Sequence, residues 1–290
     1  MTDHIITNQR IGGALEEGTA HLAAAGIDAP GHEAQLLLAH ATGTPSEMIF
    51  AYPERQLVKI AGTYFQVLLR RRARRQPLAQ VLGSREFWSL DFKVTPSVLT
   101  PRPESETLIE AVLAMCPDTI TQVLDLGTGS GCLLLALLWE LPGVCGLGID
   151  VSVDAVGVAQ ANAHALGLDT RAQFAVGNWG AALVGHFDVI LSNPPYVACT
   201  DFASLASEIR LYEPRVALDG GVDGLESIRA MSMHVARLLA PGGIAAVEIG
   251  TGQGVEVEAI FATNGLSLVA RRCDLAGVER CLLFMSCVLP

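Results

Sequence analysis

The chain from residue 121 onward alternates between short apolar runs and helical patterns, and this alternation is the strongest constraint on its fold. Five runs rich in branched apolar residues are predicted as buried strands: TQVLDL (121–126), VCGLGID (144–150), RAQFAV (171–176), FDVILS (187–192) and IAAVEIG (244–250). A last strand is predicted at ERCLLFMSCV (279–288). Strands that alternate with helices predict an α/β fold, in which helices cover both faces of a parallel sheet.

The first 83 residues have a different pattern, in which Ile11, Leu15 and Leu22 recur at helical spacing. The segment Thr44–Glu47 has the sequence of a capping box and predicts the start of another helix. A further helix is predicted over 57–75, with Pro77 at the exit. We therefore expect an N-terminal bundle of about four short helices over residues 1–83.

Residues 84–100 favour extended structure and predict a hairpin linker with its turn at Leu90-Asp91. The following residues, 101–290, form the predicted main domain, which opens with a helix in PRPESETLIE. A second capping-box pattern, Asp223 to Glu226, predicts another helix start.

Glycines at alternate positions follow the first of these strands, in VLDLGTGSGCL. Gly127 lets the chain turn sharply, Gly129 lets a ligand approach the backbone, and Gly131 opens the next helix close to the sheet. The spacing is shorter than in a dinucleotide fingerprint, and it is similar to motif I of S-adenosylmethionine (SAM)-dependent methyltransferases. Asp150 ends the next strand, where a carboxylate can accept hydrogen bonds from ribose hydroxyls. The alternative is a tight turn with an N-capping aspartate.

Trp179 follows the third predicted strand. Since strand ends on this side of a parallel sheet line the ligand crevice, its indole could lie against an adenine ring. A tryptophan that only packs in the core is the alternative.

The fourth strand ends in Asn-Pro-Pro-Tyr, beginning at Asn193. The lone pair of a planar nitrogen is delocalised, so an enzyme that methylates one needs two acceptors beside its N–H groups. The side-chain oxygen of Asn193 and the carbonyl of Pro194 can supply them, and the prolines fix φ and preorganise the pair. Tyr196 can stack on the planar group. The corner therefore predicts methyl transfer to a planar nitrogen.

The net charge of −11 argues against a protein whose main role is binding duplex DNA. The Arg70–Arg75 region is strongly basic, and it is either a solvated helix end or a docking patch for RNA or an acidic protein surface. No apolar run approaches a membrane span, the N-terminus lacks a signal-peptide pattern, and the seven cysteines and seven histidines show no metal-site spacing. We expect a soluble cytoplasmic protein without a membrane or metal site.

The arrangement of these motifs resembles the HemK/PrmC family of peptide-chain release factor glutamine methyltransferases. The resemblance rests on RRQPLAQVLGSREFWSLDFKVTPSVLTPRPESETLIE, VLDLGTGSG, SNPPYV, YEPRVALDGGVDGL and VEIGTGQG, and it covers nearly the whole chain. It implies a Rossmann-like SAM-dependent methyltransferase sheet, mostly parallel with an antiparallel last strand. It also implies methylation of N5 of the glutamine in the Gly-Gly-Gln (GGQ) loop of class-1 release factors, with S-adenosylhomocysteine as the product.

The resemblance also implies roles for individual residues. The implied SAM contacts are Gly127, Thr128, Gly129, Ser130, Gly131, Asp150, Trp179 and Asn193. The implied substrate contacts are Asn193, Pro194, Pro195 and Tyr196, of which Asn193, Pro194 and Tyr196 are the expected catalytic residues. Arg102 and Glu106 are expected to form one wall of the SAM pocket, or else only an ion pair and a helix cap.

The N-terminal bundle would help to hold the release factor, and we expect a monomer without a stable nucleic-acid partner. Two other functions share some of these features. An adenine N6 methyltransferase acting on DNA or RNA would share the Asn-Pro-Pro-Tyr corner, but it would usually need a basic target-recognition region. A non-catalytic SAM-binding translation adaptor would not need the acceptor pair.

Overall fold

A computed structural model describes residues 6–116 and 119–286. Its helices are α1 Ile11–Ala24, α2 Pro30–Thr42, α3 Ser46–Ala51, α4 Lys59–Ala73, α5 Leu78–Leu82, α6 Glu106–Met115, α7 Cys132–Glu140, α8 Val153–Ala165, α9 Ser207–Tyr212, α10 Glu226–Leu238 and α11 Gly254–Thr263. Its strands are β1 Ile6–Arg10, β2 Gln56–Val58, β3 Ser84–Phe87, β4 Leu90–Lys93, β5 Gln122–Leu126, β6 Cys145–Asp150, β7 Ala172–Val176, β8 Phe187–Ser192, β9 Leu239–Glu248, β10 Leu266–Cys273 and β11 Glu279–Ser286. Short 3₁₀ helices cover Pro103–Ser105, Cys199–Ser204 and Arg215–Ala217.

The chain divides into two compact units, one of which is the N-terminal part up to Gly83 together with Ala206–Tyr212. Helices α1, α2 and α4 pack around a core that includes Leu22, Leu37 and Phe65. Gly18 allows α1 to approach α4 closely, because a Cβ at this position would lie 2.7 Å from the Phe65 ring. The helical region is confirmed, and within the described residues α5 and the small antiparallel sheet β1–β2 add to the predicted four helices.

Part of the arginine-rich segment is buried in this unit. The guanidinium of Arg72 lies between the carboxylates of Glu33, at 2.5 Å, and Glu208, at 3.2 Å. Arg75 also pairs with Glu208, at 3.0 Å, and Arg71 donates to the carbonyls of residues 80 and 81. These arginines therefore hold the segment 206–212 and the end of α4, which the sequence patterns did not indicate.

The two helix starts predicted from capping-box patterns are confirmed, since α3 begins at Ser46 and α10 at Glu226, but three local details were wrong. Thr44 does not cap a helix: its N–H bonds the carbonyl of Ala39 at the end of α2, and α3 begins after Pro45. The second predicted capping box also fails, because the Asp223 carboxylate accepts from the N–H of Leu225. The β3–β4 turn is Trp88-Ser89 rather than Leu90-Asp91, since both of its residues have a positive φ, which suits a two-residue hairpin.

The second unit, Ser84–Leu205 with the chain from Glu213, contains a sheet whose described strands are ordered β10-β11-β9-β8-β5-β6-β7. The strands β5 to β9 are parallel to one another, and β11 is antiparallel to both β9 and β10. The predicted fold, a mostly parallel sheet with an antiparallel last strand, is confirmed. Residues 287 and 288 of the predicted last strand lie outside the described residues.

The edge strand β10 and the helix α11 were not predicted. Only Leu266 of β10 is fully buried, so its pattern is weak, and α11 begins at Gly254 without a side-chain cap. Strand β9 begins at Leu239, several residues before the predicted start, because Pro241-Gly242-Gly243 continues the strand through an irregular register with β8.

Helices cover both faces of this sheet, and the strands supply alternate residues to the two cores. Val123 of β5 packs with α6 and α7, whereas Leu124 packs with α10 and α11. The strand order reverses at β5, which lies between β8 and β6. Such a reversal opens a crevice at the carboxyl ends of the strands, which is where ligands bind in open α/β sheets. Among the described residues, no helix is both long and apolar enough to span a membrane.

Candidate active site

A cavity of about 580 Å³ lies at the carboxyl ends of β5 to β8. Its volume is within the range of small-molecule sites. The lining residues include the 127–130 segment, Ile149–Ser152, Gly177–Trp179, Asn193 and Pro195, together with Ser97–Leu99, Ser105 and residues 215–217. Predicted site residues from four separate strand ends therefore meet at one cavity, whereas Gly131, Pro194 and Tyr196 are not part of its lining.

The glycine loop adopts the backbone that its sequence predicts, since Gly127, Gly129 and Gly131 all have a positive φ, between +54° and +80°. A Cβ on Gly131 would lie 3.2 Å from the Cβ of Ala159, so this glycine permits close packing of α7 on α8. A Cβ on Gly129 would meet nothing within 4 Å. The backbone at Gly129 is thus open to a ligand.

Asp150 both braces the loop and lines the cavity. One carboxylate oxygen accepts from the N–H of Gly129 at 2.9 Å, and the other accepts from the N–H of Ser152 at 2.9 Å. Each oxygen retains acceptor capacity for a further donor. A diol could therefore bind an acceptor that is already fixed in position.

Trp179 lies directly over the glycine loop. A Cβ at Gly127 would lie 3.5 Å from the indole ring, and Trp179 has a positive φ of 51°. The ring lines the cavity and also packs against the core under β5 and β6. The contact with the core fits the packing alternative, while contact of the cavity-facing ring with an adenine stays a prediction.

Asp125 in β5 is a buried acidic residue next to the glycine loop that sequence reasoning missed. It is fully buried, and its Oδ2 accepts from the Thr128 hydroxyl at 2.6 Å. Burial raises the pKa of this carboxyl to about 7. The signal in the sequence was a single acidic residue inside an apolar strand, just before the glycine loop that it braces.

The Asn-Pro-Pro-Tyr corner is held by hydrogen bonds on several sides. Ser192 donates to the carbonyl of Leu126 at 2.7 Å, which ties the end of β8 to β5. The carbonyl of Tyr196 accepts from Gln253 at 3.1 Å, and Val197 forms a bridge to Asp219. Asn193 and Pro195 line the cavity, and Pro194 and Tyr196 are their chain neighbours. The corner is therefore rigid as well as adjacent to the cavity.

Below this corner lies a buried polar network that sequence reasoning also missed. The Asn193 Nδ2 donates to the Ser105 Oγ at 3.1 Å, and Ser105 donates to Oε2 of Glu248 at 2.5 Å. The Tyr196 hydroxyl donates to Oε1 of the same carboxylate at 3.2 Å. Burial raises the pKa of Glu248 to about 7 and also raises the pKa of Tyr196. The signal for Glu248 was an acidic residue in the apolar strand IAAVEIG.

The segment before α6 closes the cavity with other residues than those predicted. Arg102 pairs with Glu213 at 3.2 Å, and Oε1 of Glu106 accepts from the Trp88 N–H in the hairpin turn at 2.8 Å. The cavity wall from this region consists instead of Ser97–Leu99 and Ser105. For Arg102 and Glu106 the geometry favours the alternative of an ion pair and a backbone contact.

An open glycine loop, a fixed carboxylate at the next strand end and an Asn-Pro-Pro-Tyr corner fit SAM, and with this sheet they define a SAM-dependent methyltransferase. The chain matches the family models "PrmC N-terminal domain" over residues 13–83 and "Methyltransferase small domain" over residues 104–212. It is 44% identical to the release factor glutamine methyltransferase of Rhodospirillum rubrum, over 94% of this chain and 84% of the relative. It is 43% identical to the enzyme of that name from Cereibacter sphaeroides, over 93% of this chain and 96% of the relative. The chain belongs to the release factor glutamine methyltransferase family.

Solved structures at lower identity agree on the fold. A methyltransferase from Pyrococcus furiosus has a TM-score of 0.51 at 19% identity and covers 74% of this chain and 97% of its own. The hMettl16 catalytic domain, solved in complex with an RNA hairpin, has a TM-score of 0.55 at 17% identity and covers 77% of this chain and 84% of its own. Both support the methyltransferase fold, and neither bears on the substrate.

Proposed function

We propose that this protein transfers a methyl group from SAM to the side-chain amide nitrogen (N5) of the glutamine in the GGQ loop of class-1 release factors. The observation that carries the proposal is the orientation of Asn193. Its Nδ2 is used in a hydrogen bond to Ser105, which leaves Oδ1 as an acceptor at the cavity. The names of the relatives supply the glutamine and the release factor.

SAM would be held by the 127–131 loop, Asp150, Trp179 and Asn193, and when bound it supplies an electrophilic methyl group. The chain's own residues then position the nucleophile. Oδ1 of Asn193 and the carbonyl of Pro194 accept the two N–H bonds of the glutamine amide, which aims its nitrogen lone pair. Pro195 and Tyr196 bound the planar group. Both acceptors sit on a corner fixed by two prolines, so little reorganisation accompanies reaction.

A neutral acceptor suits this reaction because the methylated amide is itself neutral. The proton that leaves the amide nitrogen goes to solvent, since Asn193 has no basic site. Alignment of the two reactants contributes the remaining rate acceleration, because an amide nitrogen fixed against a methyl donor reacts as though at high effective concentration.

The other parts of the proposal concern the whole chain. The N-terminal unit would help to hold the release factor. Arg71, Arg72 and Arg75 take part in contacts within that unit, so Arg70 and Arg74, which are exposed, are the members of the cluster best able to meet a partner. We expect the protein to act as a cytoplasmic monomer without a stable nucleic-acid partner.

One labelling experiment tests the function against its alternatives. The protein is incubated with methyl-labelled SAM and, separately, a release factor, the same factor with its GGQ glutamine changed to alanine, and methyl-free DNA. We expect label only in the intact release factor. Label in DNA would support the adenine N6 alternative, and SAM binding without transfer to any of the three would support the adaptor.

A further inference from the structure

We propose that Ser105 and Glu248 are positioning residues, which fix the Asn193 amide with its oxygen toward the transferring centre. The assignment rests on the function proposed above. Ser105 lies in the 3₁₀ helix Pro103–Ser105 and Glu248 at the end of β9, far from Asn193 in sequence. Both are almost completely buried, at 3% and 2% exposure.

The argument starts from the two orientations of an asparagine amide. Its oxygen and nitrogen are nearly equal in size, so shape alone does not determine which of them faces the substrate. Only the orientation with Oδ1 toward the substrate supplies an acceptor, whereas the other presents a donor to an amide N–H. Catalysis therefore requires that the protein select one orientation.

The hydrogen-bond donors and acceptors around Asn193 select this orientation. Above about pH 7, where Glu248 is ionised, its carboxylate only accepts, so it takes the single hydroxyl hydrogen of Ser105, at 2.5 Å. The Ser105 Oγ then has only lone pairs to offer Asn193, at 3.1 Å. Only Nδ2 can donate to it, so Oδ1 is directed the other way. With Glu248 ionised, the orientation of the Asn193 amide follows from the available donors and acceptors.

Glu248 orients a second site residue as well. Its Oε1 accepts the hydroxyl hydrogen of Tyr196 at 3.2 Å. One buried carboxylate thus governs the amide that holds the substrate nitrogen and the ring beside it. In its ionised form this buried carboxylate accepts two hydroxyl hydrogens, which offsets part of the cost of burying its charge.

The matched control is a second Asn–Ser pair of the same geometry elsewhere in the same unit. Asn264 Nδ2 donates to Ser232 Oγ at 3.1 Å, and Ser232 donates to the carbonyl of Arg229 at 3.0 Å. Ser232 is 1% exposed and lies on α10. Ser232→Ala removes the same type of bond at the same burial without touching the site.

The experiment measures kcat, and KM for SAM and for the release factor, in the full-length protein. Ser105→Ala should lower kcat about tenfold, with both KM values within about twofold of wild type, because one hydrogen bond that selects an orientation is lost. Ser232→Ala should leave kcat unchanged. Glu248→Ala should lower kcat at least as far as Ser105→Ala, and Glu248→Gln should restore it to within about threefold, since its amide oxygen can still accept from Ser105.

A double-mutant cycle tests whether Ser105 acts through Asn193. Ser105→Ala should have no further effect on kcat in an Asn193→Ala background, as measured by label transfer over long incubations. Additive losses would overturn the assignment, as would a kcat for Ser105→Ala equal to that of Ser232→Ala. Ser105→Ala and Glu248→Gln change little volume, so the test holds even if Glu248→Ala does not fold. Wild-type protein that labels no release factor would overturn the proposed function together with this assignment, whereas the other two results overturn this assignment alone.

Discussion

At the scale of single residues, the site depends on atoms that cannot move far. Asn193 is fixed on one side by Ser105 and on the other by the proline that follows it. Its side chain touches the cavity, while Asp150 and the glycine loop supply the greater part of the proposed SAM contacts. Binding of SAM and turnover should therefore separate when Asn193 is changed.

We expect Asn193→Ala to keep most SAM binding and to lose about 10²–10³-fold in kcat, the usual effect of removing one preorganised polar contact. Calorimetry with SAM and label transfer to a release factor measure the two quantities. Unchanged turnover would contradict the acceptor role, and loss of SAM binding with unchanged kcat would assign Asn193 to the cofactor instead.

The residues that sequence predicted at the site are those that end strands. Asp150 and Asn193 follow directly from the strand pattern, because the carboxyl ends of parallel strands share one edge. Ser105 could not be predicted, since its contact with Asn193 spans 88 positions and depends on how the segment before α6 folds back. Glu248 and Asp125 lie inside apolar strands, where an isolated acid does not reveal which partners satisfy it.

At the scale of elements, the glycine loop is where backbone conformation and helix packing constrain the same residue. Gly131 combines a φ of +80° with a Cβ position 3.2 Å from both Ala159 and Leu135. Gly143 provides a control in the loop before β6, because a Cβ there would meet nothing within 4 Å and its φ is not positive.

Gly131→Ala should lower the free energy of unfolding by about 3 kcal/mol, from the left-handed backbone and from overpacking between α7 and α8. Urea denaturation measures this loss. SAM affinity should fall as well, because the loop cannot keep its backbone conformation. Gly143→Ala should stay within about 0.5 kcal/mol of wild type. Equal stability of the two variants would mean that the helix packing adjusts without cost.

Helix α4 contains a buried arginine, Arg72, although the arginine-rich sequence did not indicate that any member of the cluster is buried. Sequence analysis left the arginine cluster open between a solvated helix end and a docking patch. Arg72 is neither, because its partners Glu33 and Glu208 enclose it within the N-terminal unit. The pairing spans 136 positions, so no local pattern could have indicated it.

Arg72→Ala should destabilise the protein by about 3 kcal/mol, because Glu33 loses its buried partner and Glu208 keeps only Arg75. Arg70→Ala, at an exposed position of the same helix, should change stability by less than about 0.5 kcal/mol. Chemical denaturation of both variants gives the comparison. A small loss for Arg72→Ala would indicate that water replaces the guanidinium between Glu33 and Glu208.

At the scale of the whole molecule, the parallel part of the sheet was predictable and its edge strand was not. The strands β5 to β9 are strongly apolar, and their alternation with helices leaves few topologies. Edge strand β10 has one face in water and carries Arg271 and Arg272, so its pattern does not stand out from a loop. The central sheet also carries two buried acids, which link the stability of the fold to pH.

Glu248 gives the clearest case of this linkage. Burial raises its pKa to about 7 in the folded protein; the nearby Glu104 raises it further, whereas the bonds from Ser105 and Tyr196 and the charge of Arg280 lower it. In the unfolded chain the pKa returns to its ordinary value near 4.5. Between these two values the folded state holds a proton that the unfolded state does not, so stability should fall as pH rises from about 4.5 to 7 and then level off.

The slope from one such proton approaches about 1.4 kcal/mol per pH unit. Glu248→Gln removes the titrating group while it keeps the volume, so its stability should fall less steeply over the same window. Urea denaturation of both proteins at pH 5, 6, 7 and 8 measures the difference, with Asp125 contributing equally to the two series because it is unchanged. We expect the wild type to lose stability relative to Glu248→Gln up to about pH 7 and to run parallel to it above. Parallel curves throughout would mean that Glu248 is ionised in the folded protein even at pH 5, with its hydroxyl partners compensating for burial.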